Sequence, residues 1–294
     1  MYRLIVFLSL FALVVTGCSP ASSSPTTDSA VLATTTFLAD IAQNVAGDRV
    51  TVGSLLPVGA DPHSYQPTPR DVARLADSKL LIINGADYEH FLETLLGNAG
   101  GERTVIEAST GVNPRIDANG TDPHMWLDPN NVILYVENIR KGLTQYDPAG
   151  ASLYQANADA YTARLKDLDA WITGQVSQIP QEKRLLVTNH EALGYFAERY
   201  GFTVVGTVIE SFSSVASPSA GQMADLINQI KSSGAPAIFL DTSDNEMLAQ
   251  QIADETGVRV VTDLHLESLT DGDPAGTYID MMKYNVTQIV DALK

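Results

Sequence analysis

Three of the five histidines in this 294-residue chain stand where a strand or a tight turn is expected to end. His63 and His124 each close an Asp-Pro-His tripeptide, and His190 comes just after the strand-like run Leu185–Thr188. Proline fixes the backbone before the first two imidazoles, which reduces the freedom lost when they bind a ligand. Neutral imidazole is a common ligand of Zn²⁺, and three imidazoles with one carboxylate fill a tetrahedral site. One histidine alone is more typical of a hydrogen-bonded structural residue, but the three together indicate a transition-metal site.

The elements that must position these histidines are short aliphatic or β-branched runs that alternate with helix-length amphipathic segments. This alternation indicates a mainly parallel sheet with helices on both faces. It restarts in the second half of the chain, so we predict an α/β fold of two similar lobes. Ligands of open α/β sheets bind beyond the carboxyl ends of the strands, so the histidines can meet in a cleft between the lobes. The predicted strands are 31–33, 50–52, 80–83 and 104–106, then 185–187, 204–205, 237–240 and 258–261.

A different kind of segment separates the two sets of strands. Pro148 and Pro180 bracket a stretch without proline, in which apolar residues recur every three or four positions. That period marks one face of a helix, which would be roughly 45 Å long at 1.5 Å per residue. Two helices broken at Gly174 are the alternative. We predict an N-terminal lobe at 30–147, one long rigid linker helix at 148–180 and a C-terminal lobe at 181–294.

The N-terminus is typical of an export signal. Arg3 gives a short basic start, residues 4–15 are apolar or small, and Val-Thr-Gly-Cys at 15–18 has the pattern of a lipobox, where a signal peptidase cleaves before a lipid-modified cysteine. The apolar run is shorter than the ~20 residues that a spanning helix needs. We predict a lipoprotein signal peptide at 1–17, lipidation of Cys18, and a flexible Ser/Thr/Pro-rich tether at 18–29. A short membrane anchor with a chance cysteine is the alternative.

Composition narrows the class of partner. A formal charge of −17 argues against nucleic acid, because its phosphates would be repelled. Cys18 is the only cysteine, so disulfides contribute nothing. A mature chain of about 270 residues can hold itself together by burial of its core. We therefore expect a monomer that binds no nucleic acid.

Four motifs, in order along residues 30–294, resemble those of the zinc- and manganese-binding receptors of bacterial ABC importers. The resemblance implies two α/β lobes joined by a rigid helix, with one metal ion held between them by His63, His124, His190 and a fourth ligand near the last strand. It also implies an extracytoplasmic receptor, lipid-anchored to the cell membrane or periplasmic, that delivers the ion to a membrane permease. The motifs are GADPHSYQPTPRDVARLADSKLLIINGADYE, DPHMWLDP, TNHEALGYFAERYGF and ESLTDGDPAGTYIDMMKYNV.

The fourth ligand is the least defined part of this pattern. The family usually has an acid immediately before Ser-Leu, which here is Glu267. Asp263 and His265 lie close enough in sequence to compete with it. Glutamate replaces the family's more frequent aspartate, and its extra methylene could change denticity and metal preference. His90 has no Asp-Pro context, falls within a predicted helix, and is expected at the surface or the rim of the site.

The ligand set also bears on which ion is bound. Three imidazoles and one carboxylate favour Zn²⁺, since Mn²⁺ prefers sites richer in oxygen. Manganese-binding members of the family commonly have Glu at the position of His190. Many zinc-binding members carry a His-rich acidic loop, which the short segment 110–122 lacks. We predict Zn²⁺, with Mn²⁺ as the alternative.

Two other classes of protein could use the same residues. A zinc-dependent hydrolase keeps an open coordination position and a general acid or base beside it. The sequence has no His-Glu-x-x-His, Gly-x-Ser-x-Gly or Walker motif. A surface adhesin with a structural metal would unfold when the metal is removed. The receptor is favoured over both, and no enzymatic activity is predicted.

Overall fold

The structure, a computed structural model, describes residues 30–294. The predicted signal peptide, the lipidated Cys18 and the tether at 18–29 lie outside the described residues. Within the described part, no helix combines the length and the apolar character that crossing a membrane requires.

Four parallel strands form the first sheet: β1 (Val31–Ala33), β2 (Val52–Ser54), β3 (Leu80–Ile83) and β4 (Thr104–Glu107). They lie in the order β2-β1-β3-β4. The central strands β1 and β3 are almost wholly buried, which is why they read as continuous apolar runs. Helices α1 (Thr36–Ala46), α2 (Pro69–Asp77) and α3 (Leu92–Ala99) connect these strands in sequence.

The segment after β4 forms a small hairpin and two long helices. The hairpin is β5 (Ile116–Asp117) and β6 (Gly120–Thr121), and the helices are α4 (Pro129–Tyr146) and α5 (Ala151–Val176). Helix α5 has 26 residues, so it is about 39 Å long at 1.5 Å per residue. The alternative of a break at Gly174 is wrong, because the helix continues through it and buries Ile172 and Val176 on either side. The apolar face predicted for this helix is the buried one.

The second sheet repeats the first. Its strands are β7 (Leu185–Thr188), β8 (Thr203–Thr207), β9 (Ala237–Asp241) and β10 (Arg259–Leu264). They lie in the order β8-β7-β9-β10, so in both sheets the second strand of the set lies at one edge, followed by the first, third and fourth. The helices are α6 (Gly194–Tyr200), α7 (Ala220–Ser233), α8 (Glu246–Thr256) and α9 (Tyr278–Leu293). The prediction of two similar α/β lobes with a long linker helix is confirmed.

One hydrophobic core extends through both lobes. It includes Phe37 of α1, Leu165 of α5 and Phe239 of β9. Successive side chains of a strand point to opposite faces, and accordingly Leu32 of β1 and Ile238 of β9 belong to separate outer clusters. Because the central core is shared, movement of one lobe against the other must disturb packing around α5.

The turn after β3 differs from the expected helix. The carboxylate of Glu89 accepts the backbone N–H groups of Asn84 and Gly85 at 2.6 and 3.1 Å, and the Thr34 hydroxyl at 2.7 Å. This buried carboxylate holds a turn in the segment around His90, where the sequence predicts a helix. Helix α3 begins only at Leu92, so His90 precedes the helix and is exposed.

Candidate metal centre

Four buried side chains from separate segments of the two lobes meet at one point: His63, His124, His190 and Glu267. Each offers a ligand-type atom, and these atoms all lie within 4.8 Å of one another. The Nε2 atoms of His63 and His190 are each 3.0 Å from Glu267 Oε1. His124 Nε2 is 3.4 Å from His63 Nε2 and 3.3 Å from His190 Nε2. The structure therefore brings together the four residues that the sequence selects, and their role as ligands stays a prediction.

The spacing of these atoms suits one small cation. A tetrahedral ion with bonds of about 2.0–2.1 Å separates its ligand atoms by about 3.3–3.4 Å. Glu267 Oε1 is 3.4 Å from His124 Nε2, like the two imidazole pairs. Lone pairs facing each other at this distance repel, so a shared cation or proton is needed to make the arrangement favourable.

The two Asp-Pro-His tripeptides fold in the same way. In each, the aspartate Oδ1 accepts the backbone N–H of the histidine two residues later, at 2.8 Å for Asp61 and His63 and 3.0 Å for Asp122 and His124. Such a turn is what a short carboxylate next to proline favours. The Asp61 carboxylate also accepts the Ser214 hydroxyl of the second lobe at 2.7 Å. The repeated motif therefore fixes the backbone from which two of the imidazoles project.

His124 has the most developed surroundings of the three histidines. Its Nδ1 is 2.9 Å from Asp122 Oδ1, which favours the tautomer with the proton on Nδ1 and leaves Nε2 free to bind an ion. Burial lowers the pKa of this imidazole, but the carboxylates of Asp122 and Glu267 outweigh burial and raise it to about 9. A cation at Nε2 must therefore displace a proton at neutral pH.

His190 is placed by the end of a strand. It lies two residues after β7, and its carbonyl accepts the Thr188 hydroxyl at 2.6 Å. Its Nδ1 is 3.8 Å from Asp244 Oδ1, too far for a hydrogen bond but close enough for attraction. Burial raises the pKa of Asp244 to about 6, against the opposing charge of His190. This imidazole is less firmly oriented than that of His124.

Glu267 is held from both lobes through its neighbour in the chain. The Leu266 N–H donates to Asp241 Oδ2 at 2.5 Å, and the Leu266 carbonyl accepts the Trp126 indole N–H at 2.8 Å. Burial alone would raise the pKa of Glu267, but His63 and the hydrogen bonds with the three imidazoles hold it well below its usual range. The carboxylate is therefore ionised and can neutralise one charge of a bound cation.

The two competing candidates for the fourth ligand lie outside this cluster. Strand β10 extends to Leu264, further than the sequence suggested, and the exposed Asp263 accepts the Tyr284 hydroxyl at 2.7 Å. The ring of His265 packs against Tyr284, with centroids 5.4 Å apart. The pairing register of β10 shifts between Val261 and Leu264, and this irregularity, which no local pattern in the sequence reveals, leaves Asp263 exposed while Val261 and Leu264 are buried.

A cavity of about 240 Å³ adjoins the cluster at His63. Its lining includes His90 and Asp87 from the turn after β3, Asn119 from the hairpin, and Phe212 from the second lobe. His90 therefore lies at the rim of the site rather than among the four clustered side chains. Of the four clustered side chains, only His63 is among the residues that line this cavity.

The residues that hold the clustered side chains and their backbone segments in place were not predicted from the sequence. Asp122 and Asp61 were visible as part of the Asp-Pro-His repeat, and the repetition of the acid was a usable signal. Asp241 accepts the backbone N–H of Leu266, 25 positions away, and Glu89 accepts the hydroxyl of Thr34, 55 positions away. No local pattern in the sequence reveals such pairings.

A two-lobe α/β body with one buried His₃Glu cluster drawn from both lobes defines a class: receptors that enclose a metal ion between lobes. The chain belongs to the family described as zinc-uptake complex component A, periplasmic (ZnuA), whose model matches residues 31–292. The prediction of a metal-binding receptor of ABC importers is thereby confirmed.

Individual relatives differ in the metal that their names state. The chain is 35% identical over 292 residues to the manganese-binding lipoprotein MntA of Halalkalibacterium halodurans, covering 97% of this chain and 96% of that protein. Among solved structures it is similar to a Mn-bound periplasmic metal-binding protein from Candidatus Liberibacter asiaticus, with TM-score 0.79, 32% identity, and coverage of 90% of this chain and 99% of that one. It is also similar to the periplasmic zinc-binding protein TroA from Treponema pallidum, with TM-score 0.83, 28% identity, and coverage of 90% and 98%.

Proposed function

We propose that this protein binds one Zn²⁺ ion through His63, His124, His190 and Glu267 and delivers it to the membrane permease of an ABC importer. It acts outside the cytoplasm as a monomer, anchored to the lipid bilayer through Cys18. The observation that carries the proposal is the convergence of three imidazole nitrogens and one carboxylate oxygen, with neighbouring atoms 3.0–3.4 Å apart.

The donor set supports zinc as the cargo. Three nitrogens and one oxygen suit a tetrahedral ion of borderline softness, whereas Mn²⁺ favours more oxygen ligands. The carboxylate of Asp122 behind His124 is the kind of support that raises the basicity of a zinc-bound imidazole.

Manganese is the second candidate, and one atom favours it. Glu267 Oε2 is buried and has no hydrogen-bond partner. If both oxygens of this carboxylate bound the ion, the site would reach five ligands, closer to what Mn²⁺ prefers. The name of the relative MntA points the same way.

The geometry supports capture of an ion rather than hydrolysis. Catalytic zinc keeps a position open for water, while four saturating protein ligands leave none. The four side chains are buried, with His63 the most accessible at 8% exposed. We therefore propose that the protein has no hydrolytic activity. A bound zinc ion that carries no exchangeable water molecule would agree with this proposal.

Elemental analysis and competition titration test the proposal. The mature protein, purified without chelator, is expected to contain about one zinc per chain. His124→Ala should lower Zn²⁺ affinity by more than about 100-fold, since it removes one of the four proposed ligands together with the imidazole that Asp122 orients. The matched control is His265→Ala, a histidine outside the cluster, which should change affinity less than about twofold. Equal affinities of the two variants would refute the ligand assignment.

A further inference from the structure

A side chain of the second lobe is inserted into the hairpin that precedes His124. Beyond β5 and β6, Arg115 and Asp122 stand opposite each other, and Asp122 N donates to Arg115 O at 2.9 Å. In an antiparallel ladder, such a pair would exchange a second hydrogen bond. Here the Tyr195 hydroxyl takes its place, accepting from Arg115 N at 2.9 Å and donating to Asp122 O at 3.0 Å. Tyr195 belongs to α6 and is buried.

The bridged residue is the one that orients His124. Asp122 Oδ1 accepts the backbone N–H of His124 and lies 2.9 Å from its Nδ1. The Tyr195 hydroxyl holds the carbonyl of the same residue. Displacement of Asp122 would therefore alter both the turn and the hydrogen bond behind the imidazole, and such partners affect metal affinity strongly.

The residue before Tyr195 shows how closely α6 approaches this pair. A Cβ atom added at Gly194 would lie 2.7 Å from both Arg115 Nε and Asp122 Oδ2. Glu198 of the same helix accepts from Arg115 Nη1 at 2.7 Å, although exposed ion pairs contribute little. The close approach of α6 therefore depends on glycine at 194 and leaves no space for a side chain between the helix and the hairpin.

We propose that Tyr195 is a positioning residue that couples closure of the two lobes to metal binding by His124. This inference rests on the proposed function. With the lobes closed, the hydroxyl completes the hairpin and fixes Asp122. If α6 withdraws as the lobes open, Arg115 N and Asp122 O lose their shared partner, and His124 loses its firm support. Opening of the lobes thus weakens the binding of the ion by His124 and promotes its release.

The test compares Tyr195→Phe with Tyr200→Phe in the mature protein. Tyr200 is also a buried tyrosine of α6, and its hydroxyl donates a partly buried hydrogen bond to Asp169 Oδ1 of α5 at 2.9 Å rather than to the hairpin pair. Tyr195→Phe is expected to raise the Zn²⁺ dissociation rate, measured by chelator chase, by about tenfold. Tyr200→Phe should leave that rate within about twofold of the parent. In a variant that already carries Asp122→Ala, Tyr195→Phe should add little, because the two act in series.

A second readout needs no metal. In those molecules of the metal-free protein whose lobes are closed, the hydroxyl still holds Asp122, so the His124 Nδ1–H proton, observed by NMR, should exchange with solvent faster in Tyr195→Phe than in the parent or in Tyr200→Phe. Gly194→Ala, which keeps the hydroxyl but crowds Asp122, should act in the same direction. A Tyr195→Phe protein with the parent's dissociation rate and the parent's proton exchange would overturn the inference. Failure of the parent to bind Zn²⁺ would instead contradict the proposed function, and the exchange measurement would still decide this inference.

Discussion

Each imidazole of the cluster is supported differently, and the differences follow from local chemistry. His63 and His124 project from turns closed by their own aspartates, whereas His190 follows a strand end. Only His124 has a carboxylate within hydrogen-bonding distance of its Nδ1. Among the three proposed imidazole ligands, His190 is therefore the one whose chemistry can be changed with the least disturbance of its neighbours.

Replacing His190 by glutamate should shift the metal preference. The change gives two nitrogen and two carboxylate ligands, and oxygen-rich sites favour Mn²⁺ over Zn²⁺. We expect the ratio of Zn²⁺ to Mn²⁺ affinity, measured by competition titration, to fall by at least about tenfold, which corresponds to about 1.4 kcal/mol. His265→Glu adds the same acid outside the cluster and should leave the ratio unchanged. An unaltered ratio in His190→Glu would count against ligation by this residue.

Metal affinity should depend on pH through His124. Asp122 and Glu267 raise its pKa to about 9 despite burial, so the metal-free protein holds a proton there that the ion must displace. Zn²⁺ affinity should therefore fall about tenfold for each pH unit as pH decreases from about 9 to about 6, one proton being displaced per ion. Titrations in buffers of different ionisation enthalpy would measure this proton. A flat affinity over the range would contradict imidazole ligation.

At the scale of elements, helix α5 carries much of the shared core. Leu165 lies on its buried face at 0% exposure, in the cluster that joins the two lobes. Leu165→Ala should lower the free energy of unfolding by about 2–5 kcal/mol, because it removes buried methyl groups and leaves a cavity. Urea denaturation measures this loss. The adjacent exposed Lys166→Ala serves as control, with an expected change within about 0.5 kcal/mol.

The helices, strands and turns also show which parts of the fold could be predicted from a single sequence. Helix α5 was predictable because one period runs through its whole length, and both sheets were predictable from buried apolar strands. The hairpin at β5 and β6 escaped notice, since its strands have two residues each and its loop is Ala118-Asn119, which places the glycine of the turn-like Asn119-Gly120 dipeptide in β6. The turn that delays α3 depends on Glu89 contacting Thr34, 55 positions away. The choice between Asp263 and Glu267 as the fourth residue of the cluster could be made only once the structure showed that β10 extends to Leu264.

At the scale of the whole molecule, we expect the fold to be independent of the metal. The central core spans both lobes and α5, whereas the cluster supplies only four side chains. Metal-free protein should therefore remain folded, and saturating Zn²⁺ should raise the free energy of unfolding by about 4 kcal/mol at a thousandfold excess over Kd. Circular dichroism and thermal denaturation, before and after chelator dialysis, measure both. Loss of folded structure on chelation would favour an adhesin-like protein with a structural metal.

The most direct measurement is diffraction at the zinc and manganese absorption edges, from crystals of protein purified without chelator. We predict one anomalous peak, strongest at the zinc edge, from an ion bonded to His63, His124, His190 and Glu267 at about 2.0–2.2 Å. A peak at another place, or an ion that contacts fewer than three of these side chains, would contradict it.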